Sequence, residues 1–503
     1  MKGNSQMKKL TASLLLVSLL ASLASCGSRD GGAQTTTPAD TSADTTAEET
    51  ASQFVPDDLP SDLDLGGKTV GIMIGDYSNA FIDDMYSAEE TGNRLSDAVY
   101  KTTKNVEDRL NVSLDYNYET YTWAEMSSFQ SKITSGILAG DHAYDLLFDV
   151  ANYTAQMLDG EYFLNLAENR YISTEKPWYN QTVIENMPGD YIHFLSGQFS
   201  LVNIKSALAL YYNADLYNTL GHTEDIYSIV DSGKWTLDKL EELSKGSYSD
   251  LNGDTKSDPS DRFGITFGDT NKHIGFIKSC GIDIFKKTSS GYEFTYDNEH
   301  ASEVVSRLCA LVNENENTLP VIWDTSDAER FASSGGGNYV SKAFVDGRAL
   351  FSFSLIADAA TIVPSINFSY GLLPYPKWDE NQAEYATMLQ RNCYVMMPST
   401  VEDTDSAGAV LEALASESYR TLVPEYCEVS LKVRYSQDDN VARMFDMIIN
   451  SIVYDPGEIY ANLLGTPSGE IKTAIVENNP NWASYMAKKK TALIEKMNKI
   501  TEE

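Results

Sequence analysis

Thr69-Val70-Gly71-Ile72-Met73-Ile74 is a short apolar run of the kind that forms a buried strand. The segments after it set the context. Ser96 to Leu110 places Val99, Val106 and Leu110 on one helical face, and Asn111 suits the C-terminal stop. Val112-Ser113-Leu114-Asp115-Tyr116 alternates as a second strand. Thr122-Trp123-Ala124-Glu125 has the capping-box pattern and opens a helix through Met126, Phe129, Ile133 and Ile137, which Gly140-Asp141 ends. Tyr144-Asp145-Leu146-Leu147-Phe148-Asp149-Val150 reads as a third strand. Strand, helix, strand, helix, strand is a βαβαβ unit, whose crossovers are almost always right-handed. The fold class is therefore α/β.

Open parallel sheets hold ligands beyond the carboxyl ends of their strands. The residues there are Asp76 and Tyr77, then Glu119, Tyr121 and Trp123, then Asp149, Asn152 and Tyr153. Carboxylates and amides bind hydroxyls, and ring faces cover the apolar side of a sugar. Caps and surface turns use the same residue types, so the pattern nominates candidates only.

From Tyr144 onward the order of features resembles an extracellular solute-binding protein of an ABC importer, in the carbohydrate-binding group (family 1-like). Tyr144-Asp145-Leu146-Leu147 is followed by Leu164-Asn165-Leu166, Pro177-Trp178-Tyr179 and Ala207-Leu208-Ala209-Leu210-Tyr211-Tyr212-Asn213. Gly233-Lys234-Trp235-Thr236, Phe344-Val345-Asp346-Gly347-Arg348-Ala349-Leu350-Phe351 and Tyr370-Gly371-Leu372-Leu373-Pro374-Tyr375-Pro376 come later. The order and spacing carry the resemblance, over nearly all of Gly66 to Tyr460. It implies a two-lobed periplasmic-binding-protein-like fold of class II, with the ligand in the cleft; the helical spacing of Met444, Ile448 and Ile452, and of Trp482, Met486, Leu493 and Met497, adds a helix-rich C-terminus. It puts 66–203 and 368–418 in lobe 1, and 204–367 and 419–503 in lobe 2. Crossing strands are expected near Leu201–Tyr212 and Ile366–Leu373. The same resemblance implicates Phe353, which follows the strand Ala349–Phe351. Trp178 and Tyr179, in a loop after Pro177, are sugar platforms or loop anchors. Arg391, beside the run Cys393–Met397, contacts ligand or makes a salt bridge within its lobe. Trp235 is expected to pack rather than bind.

The chain opens differently. Met7-Lys8-Lys9 precedes an apolar run that is too short to span a bilayer comfortably. It ends in Leu23-Ala24-Ser25-Cys26, which resembles the lipobox of bacterial lipoproteins. The resemblance implies a signal peptide over 1–25 and a diacylglyceryl (palmitate-bearing) group on Cys26, two acyl chains being enough for a stable anchor. Residues 26–65 are then the lipidated cysteine and a disordered tether, since Gly27 to Pro60 is Thr, Ala, Asp, Ser and Glu with almost no aromatics.

Composition narrows the function classes. The 503 residues carry 73 acidic against 38 basic side chains, a net charge of −35. Such a surface repels phosphate backbones, which argues against a nucleic-acid partner. Beyond Cys26 stand Cys280, Cys309, Cys393 and Cys427, without Cys-x-x-Cys spacing. A Cys280–Cys309 disulfide and four buried free thiols both fit. Among the five histidines no His-Glu-x-x-His occurs, and Gly-x-Ser-x-Gly is absent too. Gly335-Gly336-Gly337 lacks the following Lys-Ser or Lys-Thr of a phosphate loop and reads as a mobile loop.

Asp250-Leu251-Asn252-Gly253-Asp254-Thr255-Lys256-Ser257-Asp258-Pro259-Ser260-Asp261 puts oxygen side chains at positions 1, 3, 5, 9 and 12 of a calcium loop. The ligands would be Asp250, Asn252, Asp254, the Lys256 carbonyl, Asp258 and Asp261. Thr255 replaces the usual glycine at position 6, and Asp261 the usual glutamate at position 12. An acidic turn without metal is the plainer alternative; a bound Ca²⁺ would be structural.

Together these features imply a monomeric, lipid-anchored, extracytoplasmic protein of a bacterial envelope. It captures a sugar or oligosaccharide by hinge closure and hands it to an ABC transporter permease. A peptide or other small-solute binder on the same scaffold is the alternative. An enzyme acting on surface glycans through paired carboxylates such as Asp76 and Asp149 is a further one, and no catalysis is expected.

Overall fold

In the computed structural model, residues 55–77, 81–150, 157, 162–320, 330–332, 339–428 and 439–502 are described. Cys26, the signal segment, most of the tether, Asn152, Tyr153 and Gly335–Gly337 lie outside them.

The strands are β1 (Lys68–Tyr77), β2 (Val112–Tyr121), β3 (Leu146–Val150), β4 (Leu195–Ser196), β5 (Leu208–Asn213), β6 (Phe263–Phe267), β7 (Phe285–Thr288), β8 (Gly291–Phe294), β9 (Arg330–Ala332), β10 (Tyr339–Ser341), β11 (Ala349–Leu355), β12 (Tyr370–Leu373) and β13 (Cys393–Met396). The first sheet runs β2-β1-β3-β13-β4 and the second β12-β5-β11-β6. Helices α1 (Arg94–Leu110) and α2 (Met126–Leu138) connect the parallel strands β1, β2 and β3. This is the expected βαβαβ unit; β1 and β2 run beyond their apolar stretches, and β3 begins at Leu146 rather than at Tyr144.

Local chemistry explains these elements. Asn93 caps α1 by accepting from the Leu95 and Ser96 amides. Asn111 ends it in the left-handed region, at φ 47°. Val99, Val106 and Leu110 are buried beneath it. Val70, Ile72 and Ile74 alternate inward along β1, each adding about 1.5–3 kcal/mol of burial. In the second sheet β5 and β11 are buried at every position, which is why both read as continuous apolar runs. Trp235 packs as expected: it is fully buried and its Nε1 donates to the Pro374 carbonyl at 2.9 Å.

Two boundaries differ from the sequence reading. Tyr370–Leu373 pairs antiparallel with Leu210–Asn213, so this strand belongs to the second sheet and the return to the first comes later, before Cys393. The folded chain also starts earlier than Gly66. Leu59 and Leu65 are buried, and Asp57 accepts from both terminal nitrogens of Arg109, at 2.7 and 2.6 Å, and from Arg420 at 3.2 Å. Two guanidiniums on one carboxylate pin a segment whose composition reads as tether.

The C-terminal part is helical, as expected. Met444, Ile448, Trp482, Met486, Leu493 and Met497 are buried, so the apolar faces of these helices are core packing. Cys280, Cys309, Cys393 and Cys427 are all free thiols, and the Cys280–Cys309 disulfide is not formed. Among the described residues no helix is long and apolar enough to cross a membrane.

Candidate ligand-binding site

The carboxyl edges of the two sheets meet where the chain passes between them. Ala207 bridges Leu389; the Leu208 amide donates to the Met388 carbonyl at 3.0 Å, and the Gln390 amide to the Ser206 carbonyl at 3.0 Å. Thr387 is bonded on its other side to Ser451 and Val453. Side chains tie each edge to these passing segments. Lys205, just before β5, reaches Asp84, just beyond β1, at 2.6 Å. Lys272, beyond β6, donates to Gln390 at 2.7 Å and to Asp269 at 3.2 Å.

On the first edge, Asp149 projects across Gly75 and accepts from the Tyr121 hydroxyl at 2.6 Å. A Cβ at position 75 would overlap Asp149 Oδ1, so glycine is what opens the passage. Tyr121 stacks on Phe129 and meets Tyr77 edge-on, with ring centroids 4.4 and 5.6 Å apart. Tyr121 and Asp149 are both buried: they form the support of the edge, and Tyr77 is the half-buried ring upon it. The Arg391 guanidinium lies over Tyr77, 5.7 Å from the ring centre. Asp76 is buried and accepts from the Phe81 amide at 2.9 Å. Trp123 is 58% exposed just past the end of β2.

The structure gives three other candidates different work. Phe353 is core: it stacks on Phe267 at 4.8 Å and packs against Phe276 and Tyr375, because β11 is a central strand covered on both faces. Trp178 and Tyr179 are buried inside the first lobe, where the Tyr179 hydroxyl donates to Glu412 at 2.8 Å. They anchor their loop. Burial lifts the Glu412 carboxyl to about 7, against the hydrogen bonds from Tyr179 and Ser173.

The second edge contributes residues absent from the sequence reading. Asp269 and Lys272 follow β6, and Asp358 follows β11, accepting from the Leu355 amide at 2.9 Å and from Ser354. Burial raises the Asp358 pKa, although Lys272 opposes it. Lys472 donates to Asn271 at 2.9 Å, and burial lowers its pKa. Asp84 is likewise raised by burial, with Lys205 opposing.

In the Asp250–Asp261 loop, Asp250 accepts from the Gly253 and Thr255 amides at 2.7 and 2.9 Å. Asn252 accepts from the Asp254 amide, and Asp254 from the Lys256 amide. Thr255 adopts φ 63°, the conformation that glycine supplies at position 6 of a calcium loop. Asp261 is buried and accepts from the Leu251 amide and the Tyr248 hydroxyl. Among the described residues no group of three or more acidic, histidine or cysteine side chains is gathered as a metal cage.

Solved structures with this architecture are numerous. The galacto-N-biose/lacto-N-biose I-binding protein of the ABC transporter of Bifidobacterium longum, in complex with lacto-N-biose, has TM-score 0.55 at 12% identity, covering 87% of this chain and 98% of that one. The cyclic alpha-maltosyl-1,6-maltose binding protein of Arthrobacter globiformis has TM-score 0.55 at 10% identity, with 87% and 99% covered. The sugar-binding protein MalE of Xanthomonas citri has TM-score 0.55 at 10% identity, with 86% and 96% covered. The fold is that of ABC-importer substrate-binding proteins. No protein-family model and no curated sequence matches the chain.

The substrate-binding-protein fold explains why the second edge escaped the sequence pattern. Applying the strand-end rule to the second sheet as well as the first points to Asp269, two residues after Phe267. Lys272 and Gln390 carry no local signal, since 118 positions separate them in sequence.

Proposed function

We propose that this chain binds a sugar or oligosaccharide between its lobes and delivers it to the permease of an ABC importer. The carrying observation is the meeting of two carboxyl edges at the passing segments, furnished with Tyr77, Arg391 and Trp123 on one side and Asp269 and Lys272 on the other. Aromatic faces and hydrogen-bonding groups along these strand edges suit a polyol. Ligand touching both lobes favours the closed form, and the permease reads that form. The architecture matches proteins whose bound or named ligands are glycans. Thermal-shift screening against glycan and peptide panels tests the reading, since a ligand of the folded state raises the melting temperature. Stabilisation by a pentapeptide with every glycan silent would replace it with the peptide-binder alternative.

The N-terminal motif supports a lipid anchor on Cys26 and an extracytoplasmic place in a bacterial envelope, with the folded part working as a monomer. Mass spectrometry of the membrane fraction should find a diacylglyceryl thioether on Cys26; an unmodified thiol there rejects the anchor.

A structural Ca²⁺ in the Asp250–Asp261 loop is a second reading, favoured by the left-handed Thr255 at the position where such loops need it. The turn hydrogen bonds leave the carboxylate oxygens with lone pairs for a hard cation. Calcium titration by calorimetry, with Asp250→Ala as control, should give one site in the parent and none in the variant. No heat in the parent rejects calcium.

A further inference from the structure

We propose that the solute carries an anionic group, a carboxylate or a sulfate, and that Arg391 receives it. This rests on the sugar-binding reading and narrows it to acidic glycans.

Arg391 stands apart from the other arginines whose side chains are described. Arg94, Arg109, Arg170, Arg307, Arg420 and Arg443 each pair with a carboxylate. Arg348 pairs with Asp346 and donates to backbone carbonyls, and Arg262 donates to a backbone carbonyl. Among the described residues Arg391 has no hydrogen-bond or ion-pair partner, and its one interaction is the Tyr77 ring. In a chain with 73 acidic side chains an arginine is easily neutralised, and this one is not. Five fixed donors match a carboxylate or sulfate, which accept two parallel N–H bonds; a sugar hydroxyl fills only one.

The neighbours fit the rest of such a ligand. Asn392 Oδ1 and Asp76 Oδ2 are buried acceptors without a partner among the described residues. The register that pairs Ile74 with Phe148 carries Asp76 to the level of Val150, and Cys393 pairs with Val150 on the other side. The two acceptors and Arg391 therefore share one short stretch of edge. Both acceptors take donors, and ring hydroxyls supply donors. One uronate or sulfated residue offers an anion to Arg391, hydroxyls to its neighbours and an apolar face to Tyr77. A neutral glycan leaves the guanidinium without its match.

The test uses the purified chain with trigalacturonate, a sulfated chondroitin disaccharide and maltotriose as probes, read by thermal shift and calorimetry. An acidic probe should bind the parent at least about tenfold more tightly than Arg391→Gln, with Arg391→Lys between, because lysine keeps the charge and loses the fork. The ligand-free variants should melt with the parent. Response to the carboxylated or to the sulfated probe alone supports the proposal and identifies the anion. Maltotriose binding parent and Arg391→Gln equally, with both acidic probes silent, overturns the proposal and leaves the sugar reading intact. An acidic probe binding Arg391→Gln as tightly as the parent also overturns it. Silence of all three probes alongside binding of a peptide sinks the sugar reading itself.

Discussion

The Tyr121 hydroxyl donates to the Asp149 carboxylate at 2.6 Å, from β2 to β3, over the glycine of the strand between them. Three strands of one sheet edge are thereby tied by a single buried bond. Gly75→Ala should displace Asp149, because a Cβ there overlaps its Oδ1 and sits 3.0 Å from the Phe129 ring. Overpacking of this kind costs about 1–3 kcal/mol. Tyr121→Phe removes the donor and leaves a buried acceptor, at about 1–3 kcal/mol. Urea denaturation of both variants checks these losses; a midpoint unchanged in both would show the bond to be incidental.

Asp57 pins the segment before β1 to the first lobe. Burial works against its ionised form, but Arg109, Ser416 and Arg420 outweigh it and hold its pKa well below the usual carboxylate range. Asp57→Asn should destabilise the protein by about 3–5 kcal/mol, since it strips a shared partner from two arginines. A drop in the melting temperature would accompany proteolytic sensitivity confined to the chain before Gly66. Retention of both properties contradicts the docking.

Glu412 makes stability depend on pH. Its folded pKa, about 7, exceeds the ordinary 4.5, so the folded state holds a proton that the unfolded state has lost between these values. Stability from this group is therefore full at low pH and falls as pH rises from about 4.5 through 7. Glu412→Gln should leave stability near pH 4 almost unchanged and raise it by about 1–3 kcal/mol at pH 8. Equal effects at both pH values would show that the carboxyl does not titrate in this window.

Lys272 links the second edge to the passing segment at Gln390. Lys272→Met should cost about 2–4 kcal/mol by leaving Asp269 and Gln390 without this donor. On the proposed hinge closure, the distance between spin labels on the two lobes should also broaden, because the contact joins the second edge to the passing segment. A narrow, unchanged distribution would place the hinge elsewhere.

The chain order alone determined the α/β class, the βαβαβ unit and the first edge, because apolar period and strand-end position are local properties that Ile72, Ile74 and Asp76 display directly. Only tertiary structure decided what each candidate does. Tyr121, Asp149, Trp178, Tyr179 and Phe353 look alike as polar or aromatic residues near strand ends or in loops, yet burial turns all of them inward. Strand Tyr370–Leu373 joined the second sheet through partners far away in sequence. Arg391 emerged without a carboxylate among the described residues only once its neighbours were in place. Pairing and burial are contacts between distant parts of the chain, and a linear pattern holds no record of them.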